Sequence, residues 1–104
     1  MRYIKSMITV RETVEFAKWM KGLKDRKTRL VINARIRRIS VGNFGDSKPV
    51  GSGISELRID YGPGYRVYFT QEGKEIIILL CGGNKSSQSR DIETAKRIAN
   101  NLEE

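Results

Sequence analysis

The chain has no histidine, one cysteine, two prolines and one tryptophan among its 104 residues. Without histidine there is no Ser–His–Asp triad and no imidazole metal site, and the usual general base near neutral pH is missing. The lone Cys81 cannot form an internal disulfide, and one thiolate cannot build a structural zinc site. Cys81 ends the run Ile76-Ile77-Ile78-Leu79-Leu80, where a buried, inert thiol fits better than a nucleophile. No apolar run approaches the length of a membrane span. The start, Met1-Arg2-Tyr3-Ile4-Lys5, lacks the apolar core of a signal peptide, so a cytoplasmic protein without a membrane partner is expected. Acidic residues are also scarce: 12 Asp plus Glu against 20 Lys plus Arg, a net charge of +8. Any chemistry must therefore come from Arg, Lys, Tyr, Glu or Asp, with no metal or cofactor expected. The charge favours a polyanionic partner.

A chain of this length is expected to form one domain over residues 1–104, and 38% hydrophobic content argues for a folded one. Its central feature is Glu56-Leu57-Arg58-Ile59-Asp60-Tyr61-Gly62-Pro63-Gly64-Tyr65-Arg66-Val67-Tyr68-Phe69. This reads as a β-hairpin closed by Gly62-Pro63-Gly64. A three-residue loop sets Tyr61 opposite Tyr65, Asp60 opposite Arg66 and Arg58 opposite Tyr68. Leu57, Ile59, Tyr61, Tyr65, Val67 and Phe69 then share an apolar face. The other face carries Arg58, Arg66 and Tyr68, and is either a solvated, salt-bridged surface or an anion site for a phosphodiester.

Around the hairpin, Tyr3 to Thr9 reads as a first strand. Thr9 and Glu12 have capping-box spacing for a helix ending near Gly22, with Phe16, Trp19, Met20 and Leu23 on its buried stripe. Asp25 caps a second helix that runs to about Val41, with Gly42 just beyond and Ile32, Ile36 and Ile39 facing inward. No acid lies between Asp25 and Asp46. Arg35 and Arg38 belong to this basic stretch, which favours an interaction surface. Residues 42–53 read as a glycine-rich connector that can bring Lys48 to the hairpin's polar face; they hold no Walker pattern. Glu75 to Cys81 is a central strand covered on both faces, broken by Gly82-Gly83. Ser87 or Ser89 starts a last helix with Ile92, Ala95, Ala99 and Leu102 inward. Lys85 and Arg90 beside its N-terminus make a phosphate cradle possible, as does a plain strand-to-helix turn. The expectation is an α+β fold: a small antiparallel-dominated sheet, β-α-α-β-β-β-α, with helices packed on it in one layer.

These residues resemble the RelE/ParE toxin superfamily, and within it the HigB-type addiction module killer proteins. The likeness rests on Glu15-Phe16-Ala17-Lys18-Trp19, Leu23-Lys24-Asp25, residues 42–50, the hairpin, Gly82-Gly83-Asn84-Lys85 and Asp91-Ile92. It implies a RelE-like fold and a toxin of a type II toxin–antitoxin pair, restrained by a cognate antitoxin, often with a helix-turn-helix domain. Operator DNA would then be met only through the antitoxin complex. RelE-like members are metal-independent mRNA interferases acting with the ribosome and mRNA; ParE-like members inhibit DNA gyrase without catalysis. On the first reading Arg66 and Lys85 face the transition-state phosphate and the leaving oxygen, and Arg58 lines the same face. Tyr68 orients the nucleophile or holds an arginine, and Glu56 is a candidate base. Lys48, Arg90, Arg35 and Arg38 are the candidate RNA-binding residues. A basic binding module on the same fold is the remaining alternative.

Overall fold

The computed structural model describes residues 7–102. Five strands, β1 (Thr9–Glu12), β2 (Ser47–Gly51), β3 (Ile54–Ile59), β4 (Tyr65–Glu72) and β5 (Ile76–Asn84), form one sheet in the order β1-β5-β4-β3-β2. β1 runs parallel to β5, and every other neighbour pair is antiparallel. The helices are α1 (Val14–Gly22), α2 (Arg26–Ser40) and α3 (Gln88–Leu102), with a 3-10 turn, Lys85–Ser87, leading into the last.

The expected single helical layer is corrected, because the sheet is covered on both faces. Leu57, Ile59, Val67, Phe69, Ile77 and Leu79 pack with Phe16, Ile32 and Ile39 from α1 and α2. Ile54, Tyr68, Leu80 and Cys81 pack with Ala95 and Ile98 from α3. Side chains alternate along a strand, so β3, β4 and β5 supply both cores at once. Each fully buried Leu, Ile or Phe contributes roughly 1.5–3 kcal/mol. Tyr68, fully buried, therefore belongs to a second core and not to an open polar face.

The hairpin register also differs. Ile59 pairs with Tyr65, Arg58 with Arg66 and Glu56 with Tyr68, and residues 60–64 form the loop. The shift is two residues, so each side chain keeps its expected face while its partner across the ladder changes. The longer loop is fixed by a Gly64 N–H to Tyr61 carbonyl bond of 3.0 Å. Gly62 and Gly64 sit at φ +57° and +84°, which favours glycine at both places.

Helix boundaries follow local chemistry. Thr9 lies in β1, so Thr9 and Glu12 form no cap, and α1 begins instead at Thr13. The Thr13 hydroxyl accepts from the Phe16 N–H (3.0 Å) and donates to the Leu80 carbonyl (2.7 Å), tying the cap to the central strand. Residues 3–6 of the expected first strand lie outside the described residues. Asp25 is the N-cap of α2. That helix closes with Gly42 N–H to Ile39 (2.8 Å) and Asn43 N–H to Arg38 (2.9 Å), the paired bonds of a Schellman motif.

The expected connector over residues 42–53 contains an edge strand, β2, paired with β3 from Ser47↔Leu57 to Gly51↔Ile54. Pro49 is tolerated there because an edge strand has a side that needs no N–H. β5 runs on through Gly82 and Gly83 to Asn84 rather than breaking. A side chain at Gly82 would collide with the Trp19 ring, and one at Gly83 with the Asp91 carboxylate, so these glycines let α1 and α3 approach the strand. Asn84, and neither Ser87 nor Ser89, caps the turn into α3, accepting from the Ser86 N–H at 2.9 Å. Ile98 takes the inner position expected for Leu102, which is exposed.

Candidate active site

At the hairpin end of the sheet lies an open pocket of about 460 Å³ lined by Asp46, Arg58, Asp60, Gly62, Pro63, Gly64, Arg66 and Lys85. Two strands and the turn after a third supply its cations. Arg58 and Arg66 are cross-strand partners, and Arg66 also pairs with Gly83 on β5. Lys85 follows the end of β5 and is fixed by its own N–H to the Gly64 carbonyl, 2.8 Å. Among the described residues Lys85 forms no ion pair.

Arg58 is anchored at three points. Its N–H donates to the Asp46 carbonyl (2.8 Å), and its carbonyl accepts from Arg35 Nη1 (2.7 Å). Its Nε and Nη2 both donate to Asp46 Oδ1, at 3.1 and 2.9 Å. The Asp46–Arg58 pair is well exposed, at 56% and 36%, so it is weak and exchangeable. A phosphate oxygen could take the place of Oδ1.

Arg66 is held differently. Its Nε lies 3.7 Å from Glu56 Oε2, with side-chain exposures of 13% and 0%. That oxygen also accepts from Gln88 Nε2 at 2.6 Å and the Tyr68 hydroxyl at 3.3 Å. Glu56 Oε1 and Arg66 Nε have no hydrogen-bond partner among the described residues. The buried carboxylate thus sits behind the guanidinium and aims it outward. Burial, then the Glu56 charge and hydrogen bond, push the Tyr68 phenol well above its usual range, so it stays neutral.

The structure brings Arg58, Arg66 and Lys85 together at one pocket and sets Glu56 and Tyr68 behind it. Lys48 is exposed on the edge strand, opposite Glu56. Arg90 is exposed in the first turn of α3. Arg35 and Arg38 lie on α2; Arg35 is half-buried against β3, and Arg38 is exposed beside a groove lined by Met7, Ala34 and Val41. Among the described residues no cluster of Cys, Asp or Glu could hold a metal ion. No helix among them is long and apolar enough to cross a membrane.

The sequence profile described as "Phage derived protein Gp49-like (DUF891)" matches residues 18–103, which takes in the α1 stripe from Trp19 onward, the hairpin, the pocket and α3. The chain belongs to this Gp49-like family. The family is RelE-like, which places the chain in the RelE/ParE toxin superfamily. A relative, an uncharacterized protein of Haemophilus influenzae, is 50% identical over 95 residues, covering 91% of this chain and 96% of that protein. Among solved structures, a chain of the toxin–antitoxin complex RelBE2 from Mycobacterium tuberculosis shares the fold with a TM-score of 0.52. It is 16% identical and the match covers 82% of this chain and 99% of that one. In this Gp49-like chain, sequence reasoning missed Asp46 and Gln88. Asp46 sits two residues before Lys48 in a stretch read as a connector, and Gln88 reaches Glu56 only because α3 folds back over β5 and β4.

Proposed function

We propose that this Gp49-like chain is the toxin of a type II toxin–antitoxin pair, acting in the cytoplasm as a metal-independent endonuclease on ribosome-bound mRNA. The observation that carries this reading is the convergence of Arg58, Arg66 and Lys85 on one open pocket, with Arg66 backed by the buried Glu56. Two guanidiniums and an ammonium converging on one open pocket suit a phosphodiester, which two-pronged arginine contacts hold well. Cleavage by the adjacent 2′-hydroxyl needs a proton acceptor, a proton donor and stabilisation of charge on phosphorus. Arg66 and Arg58 stabilise the phosphate oxygens, and Lys85 faces the leaving oxygen. Glu56 and Tyr68 act as positioning residues, since both are fully buried.

The partner that restrains the toxin is an antitoxin with an acidic, apolar-anchored segment. α2 carries no acidic residue and exposes Arg26, Lys27, Arg37 and Arg38. The groove beside it exposes Met7 (62%) and Val41 (45%).

The test is to induce the protein without an antitoxin and map new RNA 5′ ends. Cuts confined to translated frames, lost in a folded Arg66→Ala variant, are expected. Growth arrest with intact mRNA would overturn the nuclease reading and point to gyrase inhibition of the ParE kind. A folded Arg66→Ala that still cuts would move the site elsewhere.

A further inference from the structure

The pocket has three cations but its proton acceptor is not evident, and the structure narrows the choice. There is no histidine. Glu56 is fully buried behind Arg66, and Tyr68 is a buried phenol held neutral by burial and by the Glu56 charge. Asp46 is paired with Arg58 through Oδ1 in the free protein, in an exposed pair that a phosphate can exchange. Of the two carboxylates that line the pocket, Asp60, which is exposed, is the one that pairs with no cation among the described residues.

The strand register gives Asp60 a position suited to the task. Tyr65 on β4 pairs with Ile59 on one side and Asn84 on the other. Asp60 is the next residue after Ile59, and Lys85 is the next after Asn84. Asp60 and Lys85 therefore stand on either side of the start of β4, with Gly64 between them and Arg66 two residues further along β4. Strands lie about 4.8 Å apart, so Ile59 and Asn84, the residues just before them, stand roughly 10 Å apart at the backbone. In-line displacement at phosphorus puts the entering and leaving oxygens on opposite sides of the phosphorus. A base on one flank, an acid on the other and a guanidinium under the phosphate suit it.

We propose that Asp60 is the general base of the cleavage, working opposite Lys85 as the acid; this rests on the nuclease reading above. The Asp60 carboxylate takes the 2′-hydroxyl proton as the 2′ oxygen bonds to phosphorus. The bond from phosphorus to the 5′ oxygen breaks, and that oxygen receives a proton from the Lys85 ammonium. The products are a 2′,3′-cyclic phosphate and a 5′-hydroxyl end. Charge balances, since one carboxylate gains a proton and one ammonium loses one. Asp60 is the first residue of the loop after β3, and it lines the same pocket as Arg58.

The experiment uses the full chain, ribosomes and a synthetic mRNA cut at a mapped position, under single-turnover conditions. Two substrates are compared, with oxygen or sulfur as the bridging 5′ atom, because a thiolate leaves without needing a proton. Asp60→Asn is expected to slow cleavage of both substrates by about 100-fold or more, with ribosome binding unchanged within about threefold. Asp60→Glu, which retains a carboxylate, recovers part of that rate. Lys85→Ala is slow on the oxygen substrate and restored on the sulfur one. An Asp60→Asn rate within about threefold of wild type, with wild-type cleavage intact, would overturn the assignment and leave the nuclease reading standing. So would rescue of Asp60→Asn by sulfur, which would put Asp60 on the acid side. No cleavage by wild-type protein that still arrests growth would overturn both.

Discussion

Removing Arg66 tests whether the buried carboxylate behind it is held as a charge. Glu56 is fully buried, its Oε2 lies 3.7 Å from Arg66 Nε, and its Oε1 has no partner among the described residues. Breaking a buried ion pair by deleting one member costs about 3–5 kcal/mol. The separation here exceeds hydrogen-bond distance, and Glu56 keeps its bonds from Gln88 and Tyr68. The expectation for Arg66→Ala is therefore a loss of about 2–3 kcal/mol, at or below the lower end of that range. In a domain of this size that lowers Tm by roughly 10–20 °C. Glu56→Gln removes the charge and keeps an acceptor, so the double variant Glu56→Gln/Arg66→Ala recovers about 1–2 kcal/mol relative to additivity. Urea unfolding followed by circular dichroism and Trp19 fluorescence measures all four corners of the cycle. An Arg66→Ala variant within about 0.5 kcal/mol of wild type, with no coupling to Glu56, would refute the view that Glu56 aims Arg66.

Four further outcomes are expected. Thr13→Ala removes the α1 cap and the bond to Leu80, and costs about 1–2 kcal/mol in unfolding free energy; no change would mean the cap is redundant. Gly82→Ala pushes a methyl into Trp19 and costs about 1–3 kcal/mol with altered tryptophan fluorescence, whereas a neutral result would show that α1 can move away from β5. Burial, first among its causes, raises the Cys81 thiol to about 12 and also lifts the Tyr68 phenol. Both groups keep their protons in the folded state while the unfolded chain loses them. Stability is thus intact below the unfolded values, about 8.5 for Cys and 10 for Tyr, and falls as pH rises past them. The same burial predicts that a disulfide reagent labels Cys81 at neutral pH only on unfolding, and rapid labelling of the native protein would contradict it.

Much of this fold was legible because it is set by local pattern. Phe16, Trp19, Met20 and Leu23 recur at helical spacing, and Gly42 ends α2 where a left-handed residue was needed. The unbroken apolar run before Cys81 marked the central strand, since only a strand covered on both faces needs one. The side-chain alternation along the hairpin put Arg58 and Arg66 on one face even though the register differed by two residues. Lys85 was placed where the sheet meets the last helix by the family resemblance and not by periodicity.

What the sequence did not determine depends on partners far along the chain. Gly82 and Gly83 looked like a break because glycine usually punctuates; the strand continues through them because Trp19 and Asp91 occupy the space their side chains would fill. β2 was hidden because glycines and Pro49 obscure a strand pattern, and only pairing with β3 makes it one. Tyr68 looked like a surface phenol until α3 folded over it and made it the floor of a second core. The cations of the pocket come from β3, β4 and the end of β5, so which carboxylate each meets was fixed by strand order. Arg66 faces Glu56 and not Asp60, which leaves Asp60 unpaired at the rim. Periodicity assigns a face, because it is a property of one strand; distance and burial belong to the assembled sheet and helices, and these decided the site.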